Sequence, residues 1–215
     1  MHKKCRILTH VYINTIRFLW VIGAALVLLQ DKLVLHLKIN AHGHPFLDAI
    51  SSWLTHIGDG LFILFMAIIF LFIRLKTGLI LFLSFILSSG LVQLLKHTLF
   101  ADMKRPYFYF ENDPSFRVME DFTYFIENSF PSGHATGCFV LFTVMAFHFH
   151  KSYLLQFVFV SAAVLVAFTR VYLSQHFMQD IIAGSIIGVL MSQILWTYIN
   201  PRFNQLDRPL IKKQE

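Results

Sequence analysis

TGLILFLSFILSSGLVQLL, residues 77–95, runs for 19 residues without a charged side chain. An α-helix of about 20 residues spans the hydrocarbon core of a bilayer, so this stretch reads as a transmembrane helix. Outward from it lie five more apolar stretches, at about 11–29, 51–73, 135–149, 153–168 and 181–199. Asp59 interrupts the second stretch early, and the fourth and fifth in chain order need flanking residues to reach full length. Gly and Pro separate the runs without the alternation of a β-strand. Backbone groups in lipid must also find internal partners, which makes these runs helices. The expected fold class is all-α, a polytopic membrane bundle of six transmembrane helices forming a single domain over residues 1–215.

Composition agrees with this reading. Of 215 residues, 56% are hydrophobic and 14% charged, against about 25% charged in an ordinary soluble domain. That excludes a large extramembrane domain, a disordered chain and a nucleic-acid binder built on a basic surface, although net charge is +6. Cationic loops at a membrane surface account for that charge. The two cysteines, Cys5 and Cys138, form neither a disulfide framework nor a zinc pair. The N-terminus is basic at Lys3, Lys4 and Arg6, then apolar, with no small-x-small cleavage site before Gln30-Asp31-Lys32. It reads as an uncleaved first helix. Placing it inside collects Arg74, Lys76, Lys151, Arg202, Arg208, Lys212 and Lys213 on the cytoplasmic side. Both termini are then cytoplasmic and the long polar loop of residues 96–131 lies outside. Within that loop Asp113-Pro114 looks like a helix start. Phe116, Met119, Phe122 or Thr123, and Ile126 follow at helical spacing, so a short amphipathic helix on the membrane surface is expected. Tyr107-Phe108-Tyr109-Phe110 suits the interfacial aromatic belt.

Three polar clusters stand at span edges on the predicted outer side: Lys96 with Arg105-Pro106, then Pro131-Ser132-Gly133-His134, then Thr169-Arg170 with His176 and Asp180. A charge near the bilayer centre costs roughly 2.5–3.5 kcal/mol on insertion scales, so such clusters are functional candidates. Their chemistry suits a phosphate. Guanidiniums grip phosphoryl oxygens bidentately, and a lysine adds a point charge. Ser132 and Gly133 precede a helix whose N–H groups can face an anion. His176 and Asp180, four apart, share a face if the sixth helix begins by His176. The carboxylate can then fix one ring nitrogen and leave the other to attack phosphorus, while His134 protonates the leaving alkoxide.

Lys96…Arg105-Pro106, Pro131-Ser132-Gly133-His134 and Arg170…His176…Asp180 resemble the three-part motif of the type-2 phosphatidic acid phosphatase family, whose superfamily includes vanadium haloperoxidases and bacterial acid phosphatases. The resemblance covers about residues 96–188. It implies an all-α bundle, with six transmembrane helices in the lipid-phosphatase branch. It also implies His176 as a nucleophile forming a phosphohistidine, Asp180 as its orienter and His134 as the acid. By the same resemblance Lys96, Arg105, Ser132, Gly133 and Arg170 bind the phosphate, with no metal and no cofactor. Two features depart from the family pattern. Lys96 lies nine residues before Arg105 rather than seven, which leaves Lys104 as a rival, and the third motif begins with Thr169 rather than serine.

The function expected is metal-independent hydrolysis of a lipid phosphate at the outer face of a bacterial cytoplasmic membrane. The substrate classes are undecaprenyl diphosphate, phosphatidic acid, phosphatidylglycerol phosphate and lipid A phosphate, with membrane lipids as the partners. Lipid-to-lipid phosphotransfer, phosphate-anion transport and vanadate-dependent halide oxidation are the competing readings. His42, His44 and Asp48 read as a polar loop before a metal site. His56 and Asp59 read as an edge pair or as groups supporting the site. Gly184 and Gly188 read as close helix packing, and Cys138 as a small packing residue.

Overall fold

A computed structural model describes residues 2–120 and 122–207; among them the structure is helical with no strand. In chain order the helices are α1 (His2–Leu29), α2 (Lys32–Asn40), α3 (Pro45–Leu54), α4 (Gly60–Ile73), α5 (Leu75–His97), α6 (Pro106–Phe110), α7 (Gly133–His148), α8 (Tyr153–Tyr172) and α9 (Met178–Arg202). All six apolar stretches are helical. Four helices are long and apolar enough to cross a membrane: Val11–Leu29, α5, α8 and α9. A fifth arises if Pro45–Gly58 and Gly60–Ile73, bent by 52° at Asp59, count as one span. At 16 residues α7 is shorter than a full span, because Pro131 and the Ser132 cap start it late and Phe149 ends it early. Arg208, Lys212 and Lys213 lie outside the described residues, and the side chains of Lys3, Lys4 and Arg6 are likewise outside the description.

The apolar surface is turned outward, as lipid requires: Phe18, Leu28, Leu61, Leu94, Leu154 and Ile194 are exposed. At the centre stands α7, packed against α5, α8, α9, α1 and α4. It is buried along nearly its whole length. Cys138 is fully buried within the apolar core, as a packing residue should be. Tyr12 reaches into the same core and bonds its hydroxyl to Thr143 at 3.1 Å.

The closest approach is between α7 and α9. A Cβ at Gly184 would collide with the Ser132 carbonyl, and one at Gly188 with the Thr136 carbonyl. Glycine at both positions lets the two backbones meet, the small-residue packing expected from the sequence. At the end remote from the long loop, Lys76 Nζ donates to Asn200 O at 3.3 Å and Thr77 bonds His148 at 2.8 Å.

The loop differs from expectation. Among the described residues of 111–130 no helix forms. Asp113 accepts from the backbone and hydroxyl of Ser115 at 2.9 and 2.7 Å, so its carboxylate closes a turn instead of capping a helix. The rest of the loop bonds outward. Arg117 exchanges backbone bonds with the Asn40 amide at 2.7 and 3.0 Å, Arg105 N donates to Ile126 O at 2.7 Å, and Ser129 N donates to Met103 O at 2.9 Å. Long-range partners have outbid helical ones, and Phe116 is buried against Phe110 and Phe177 rather than lying on a lipid surface.

Gly184→Leu is expected to destabilise the bundle by about 1–3 kcal/mol through overpacking. Gly90→Ala, where a Cβ meets nothing within 4 Å, leaves the melting midpoint in detergent unchanged or raised. Equal midpoints for the two variants would contradict the α7–α9 contact.

Candidate functional site

The third cluster begins where α8 stops. Leu173 to Phe177 form a turn rather than the start of α9. Gln175 N and His176 N both donate to Arg170 O, at 2.9 and 3.0 Å, and Ser174 takes a left-handed φ of 54°. His176 therefore precedes its helix, a correction to the expectation that a shared helical face brings it to Asp180. The pairing survives by another route. Asp180 sits in the first turn of α9 and its Oδ2 accepts from Phe177 N at 2.9 Å, a backward cap that folds the chain over it. Ser129 Oγ donates to the same oxygen at 2.6 Å. His176 Nδ1 lies 3.4 Å from Oδ2 without a hydrogen bond, and both groups are buried.

The second cluster is tied to the third through backbone. Ser132 N donates to Asp180 O at 3.0 Å, which fixes the start of α7 against the start of α9. This amide is thereby taken, although the sequence offered it to an anion. Ser132 Oγ caps α7 by accepting from Ala135 N at 3.4 Å. The N–H groups of Gly133 and His134 lie ahead of the first intrahelical bond, from Thr136 to Ser132. A Cβ at Gly133 would meet only Val92, at 4.0 Å, so space stands beside that turn. His134 Nε2 is 3.0 Å from Asp59 Oδ1.

The first cluster closes the ring. Lys96, at the last turn of α5, is 7% exposed and donates to Asn128 O at 2.9 Å. Arg105 donates to Glu127 O at 2.7 Å and to Gln175 O at 3.1 Å. Lys104 points the other way, to Glu127 Oε1 at 2.6 Å. Arg170 is buried and gives Nη1 to Thr55 Oγ1 at 2.9 Å, while its Nε has no partner.

The clusters converge on one imidazole. His176 is 1% exposed, and burial, then the charges of Arg105, Arg170 and Lys96 and the ring of His134, hold its pKa well below the usual histidine value. A groove of about 1010 Å³ opens beside the site, walled by α3 and by residues 117–120, 122, 123 and 125, with His134 and Arg170 among its lining.

Several partners carried no signal in the sequence. Thr55, Ser129 and Gln175 act only through three-dimensional contact. So do His36, whose Nε2 lies 3.0 Å from Ser174 Oγ, and Asn40. Burial among Phe110, Phe116 and Phe177 pushes the His36 pKa down to about 4. His56 and Asp59 were visible as a pair; the structure joins them at 2.9 Å and adds His134. Only His42 and His44 of the expected polar loop lie between helices: His44 caps α3, whereas Asp48 stands in the first turn of α3 and makes two bonds to Arg117, at 2.8 and 2.7 Å, and one to Tyr172 at 2.7 Å.

The chain is similar to known proteins in sequence and in fold. Residues 77–204 match the sequence profile of the PAP2 superfamily. The chain is 29% identical over 163 residues to phosphatidylglycerophosphatase B of Bacillus subtilis, covering 68% of this chain and 72% of that one. The crystal structure of LpxE from Aquifex aeolicus superposes with a TM-score of 0.66 and 26% identity, covering 79% of this chain and 96% of that chain. The PAP2 type phosphatidylglycerolphosphate phosphatase from Bacillus subtilis shares the fold, with a TM-score of 0.54 at 22% identity over 88% and 98% of the two chains.

The cationic surroundings of His176 have a measurable consequence. A positive neighbour disfavours the imidazolium, so removing one raises the pKa. In Arg105→Gln the His176 resonance, followed by ¹⁵N NMR in detergent, is expected to titrate at higher pH than in the parent protein. A titration unmoved, or moved down, would separate Arg105 from the imidazole.

Proposed function

The chain belongs to the PAP2 superfamily and is a membrane lipid phosphatase, and from that premise we propose that it hydrolyses a phosphorylated membrane lipid through a phosphohistidine on His176. The observation that carries this reading is the manner in which the cations are held. Lys96 and Arg105 rest on backbone carbonyls and Arg170 on a hydroxyl, so none is neutralised by a carboxylate. Positive charge is expensive to bury without a counter-ion. Three such groups around one buried imidazole make a site whose missing partner is a multiply charged anion.

In this reading the three cations and the Gly133 N–H hold the phosphoryl oxygens, with Ser132 setting the start of the helix that presents them. Asp180 orients His176 through Nδ1, and Nε2 attacks phosphorus. The bond from phosphorus to the lipid oxygen breaks, and His134 gives that oxygen a proton. Water entering by the groove then attacks the phosphohistidine. His134 takes the water proton, the P–N bond breaks and inorganic phosphate leaves. Lys96, rather than Lys104, serves as the first-motif lysine, because Lys104 is already engaged by Glu127.

The substrate we place first is phosphatidylglycerophosphate, on the name of the Bacillus subtilis relative. Phosphatidic acid, undecaprenyl diphosphate and lipid A phosphate complete the class. The site faces the exterior or periplasm of a bacterial cytoplasmic membrane with both termini inside. The cationic residues Arg74, Lys76, Lys151 and Arg202, gathered towards the remote end, support that orientation.

Purified protein in detergent is expected to release phosphate from at least one of these lipids, with chelator present. His176→Ala, Arg170→Ala and His134→Ala each lower kcat/KM by at least about 10²-fold, the scale of a lost nucleophile, charge clamp or general acid. Lys96→Met costs about 10-fold or more in kcat/KM, as loss of a charged hydrogen bond does, and Lys104→Met stays within about twofold of the parent. Activity abolished by chelator, or retained in His176→Ala, would overturn the mechanism.

A further inference from the structure

The turn Thr55–Gly58 and the residue after it lie outside the 77–204 family match and carry none of the three motifs. Yet this segment touches two of the motif residues. Thr55 holds Arg170, and Asp59 holds His134.

Asp59 occupies the N-cap position of α4, where an aspartate ordinarily accepts a backbone N–H of the first turn. Here it makes no capping bond, so α4 forgoes roughly 1 kcal/mol that the same residue could supply. Its carboxylate is turned instead onto two imidazoles, with Oδ1 3.0 Å from His134 Nε2 and Oδ2 2.9 Å from His56 Nδ1. The approach depends on Gly58, where a Cβ would stand 3.1 Å from the His134 carbonyl oxygen and 3.3 Å from its Cβ. The carboxylate side chain is 42% and the His134 ring 30% exposed, both opening on the groove.

We propose that Asp59 is a positioning residue for His134: it accepts the Nε2 proton, fixes the ring, and leaves Nδ1 to exchange a proton with the leaving oxygen. This rests on the phosphatase reading above and adds a second carboxylate–imidazole pair to it. As the P–O bond breaks and the P–N bond to His176 forms, the Nδ1 proton of the His134 imidazolium passes to the lipid oxygen. Nε2–H stays on Asp59. When water attacks the phosphohistidine, Nδ1 takes one water proton and the imidazolium is restored. Burial first, then the charges of Arg170 and Arg105, push the His134 pKa down to about 4, while Asp59 pulls it up; the negative charge of the bound phosphate adds to the pull of Asp59. Thus Asp180 serves the attacking imidazole and Asp59 the donating one.

The test compares leaving groups. An alkoxide must be protonated as it departs, whereas p-nitrophenolate need not be. In Asp59→Asn, kcat/KM for the alkyl phosphate lipid is expected to fall about 10–100-fold, while that for p-nitrophenyl phosphate falls less than about threefold, since only the first depends on general-acid help. In a His134→Ala background the same substitution changes neither value by more than about twofold, the signature of two residues acting as one unit. Equal losses on both substrates, or an undiminished loss in the His134→Ala background, would overturn the assignment. A second measurement needs no variant at position 59: ¹⁵N NMR of the parent protein is expected to show Nε2 of His134 protonated on both sides of the ring's titration, with Nδ1 the nitrogen that gains and loses the proton, and a neutral ring protonated on Nδ1 alone would refute it. If the parent protein releases no phosphate from any lipid, the phosphatase reading itself fails, an outcome distinct from these.

Discussion

Everything at this site follows from burying positive charge without neutralising it. A lysine and two arginines stand at the rim of an apolar bundle, where desolvation penalises each of them. Carboxylates would relieve that penalty but would also fill the site. The chain uses dipoles instead: the carbonyls of Glu127, Asn128 and Gln175 and the hydroxyl of Thr55. These acceptors satisfy donors and leave the net charge in place. The nearest carboxylate within the three motifs, Asp180, is committed to Ser129 and to the Phe177 backbone. The cations are thus held in place and only partly compensated, the kind of preorganisation that electrostatic catalysis of the proposed reaction requires.

Holding such a cluster requires rigidity from the bundle beneath it. The amide of Ser132 on the carbonyl of Asp180 ties the second and third clusters, and glycine at 184 and 188 brings their helices close enough for that bond to form. The loop from 98 to 131 then supplies the carbonyls. Its irregularity is useful, because a helix over residues 113–126 would have spent its carbonyls internally. A bend at Glu127 and a left-handed φ of 55° at Asn128 turn their carbonyls inward onto Arg105 and Lys96.

What the sequence disclosed divides along the same line. Apolar helices such as 77–95 were legible because a bilayer imposes length and composition on each segment separately. Residues 132–134, 170, 176 and 180 were legible because their chemistry is unusual at a membrane edge. The loop was not. Phe116, Met119, Phe122 and Ile126 have helical spacing, yet Asp113 closes a turn on Ser115, and Asn40 captures the backbone of Arg117. A local pattern loses when distant partners bind the same groups. The α2 helix was likewise missed, since Lys32–Asn40 is only nine residues long and begins where the first span ends. His36 and Asn40 look like ordinary polar residues until Ser174 is found beside them. The length of α7 was close to its apolar run, 135–149 against Gly133–His148, but its central place was hidden, because apolarity does not distinguish a helix surrounded by protein from one facing lipid.

The two imidazoles show how one fold places like side chains in unlike surroundings. His176 is enclosed among cations, on a turn set by Arg170 and Ser174, where the neutral and nucleophilic form is favoured. His134 sits at the groove wall, and its carboxylate partner is partly exposed to solvent. The difference lies in depth and in neighbouring charge: His176 is buried on a turn before α9 and His134 is partly exposed at the start of α7, while each has an aspartate within 3.4 Å. Depth in turn is set by the bend at Asp59: a straight helix from Pro45 to Ile73 would carry the Thr55–Asp59 turn away from the groove, and with it the partners of Arg170 and His134.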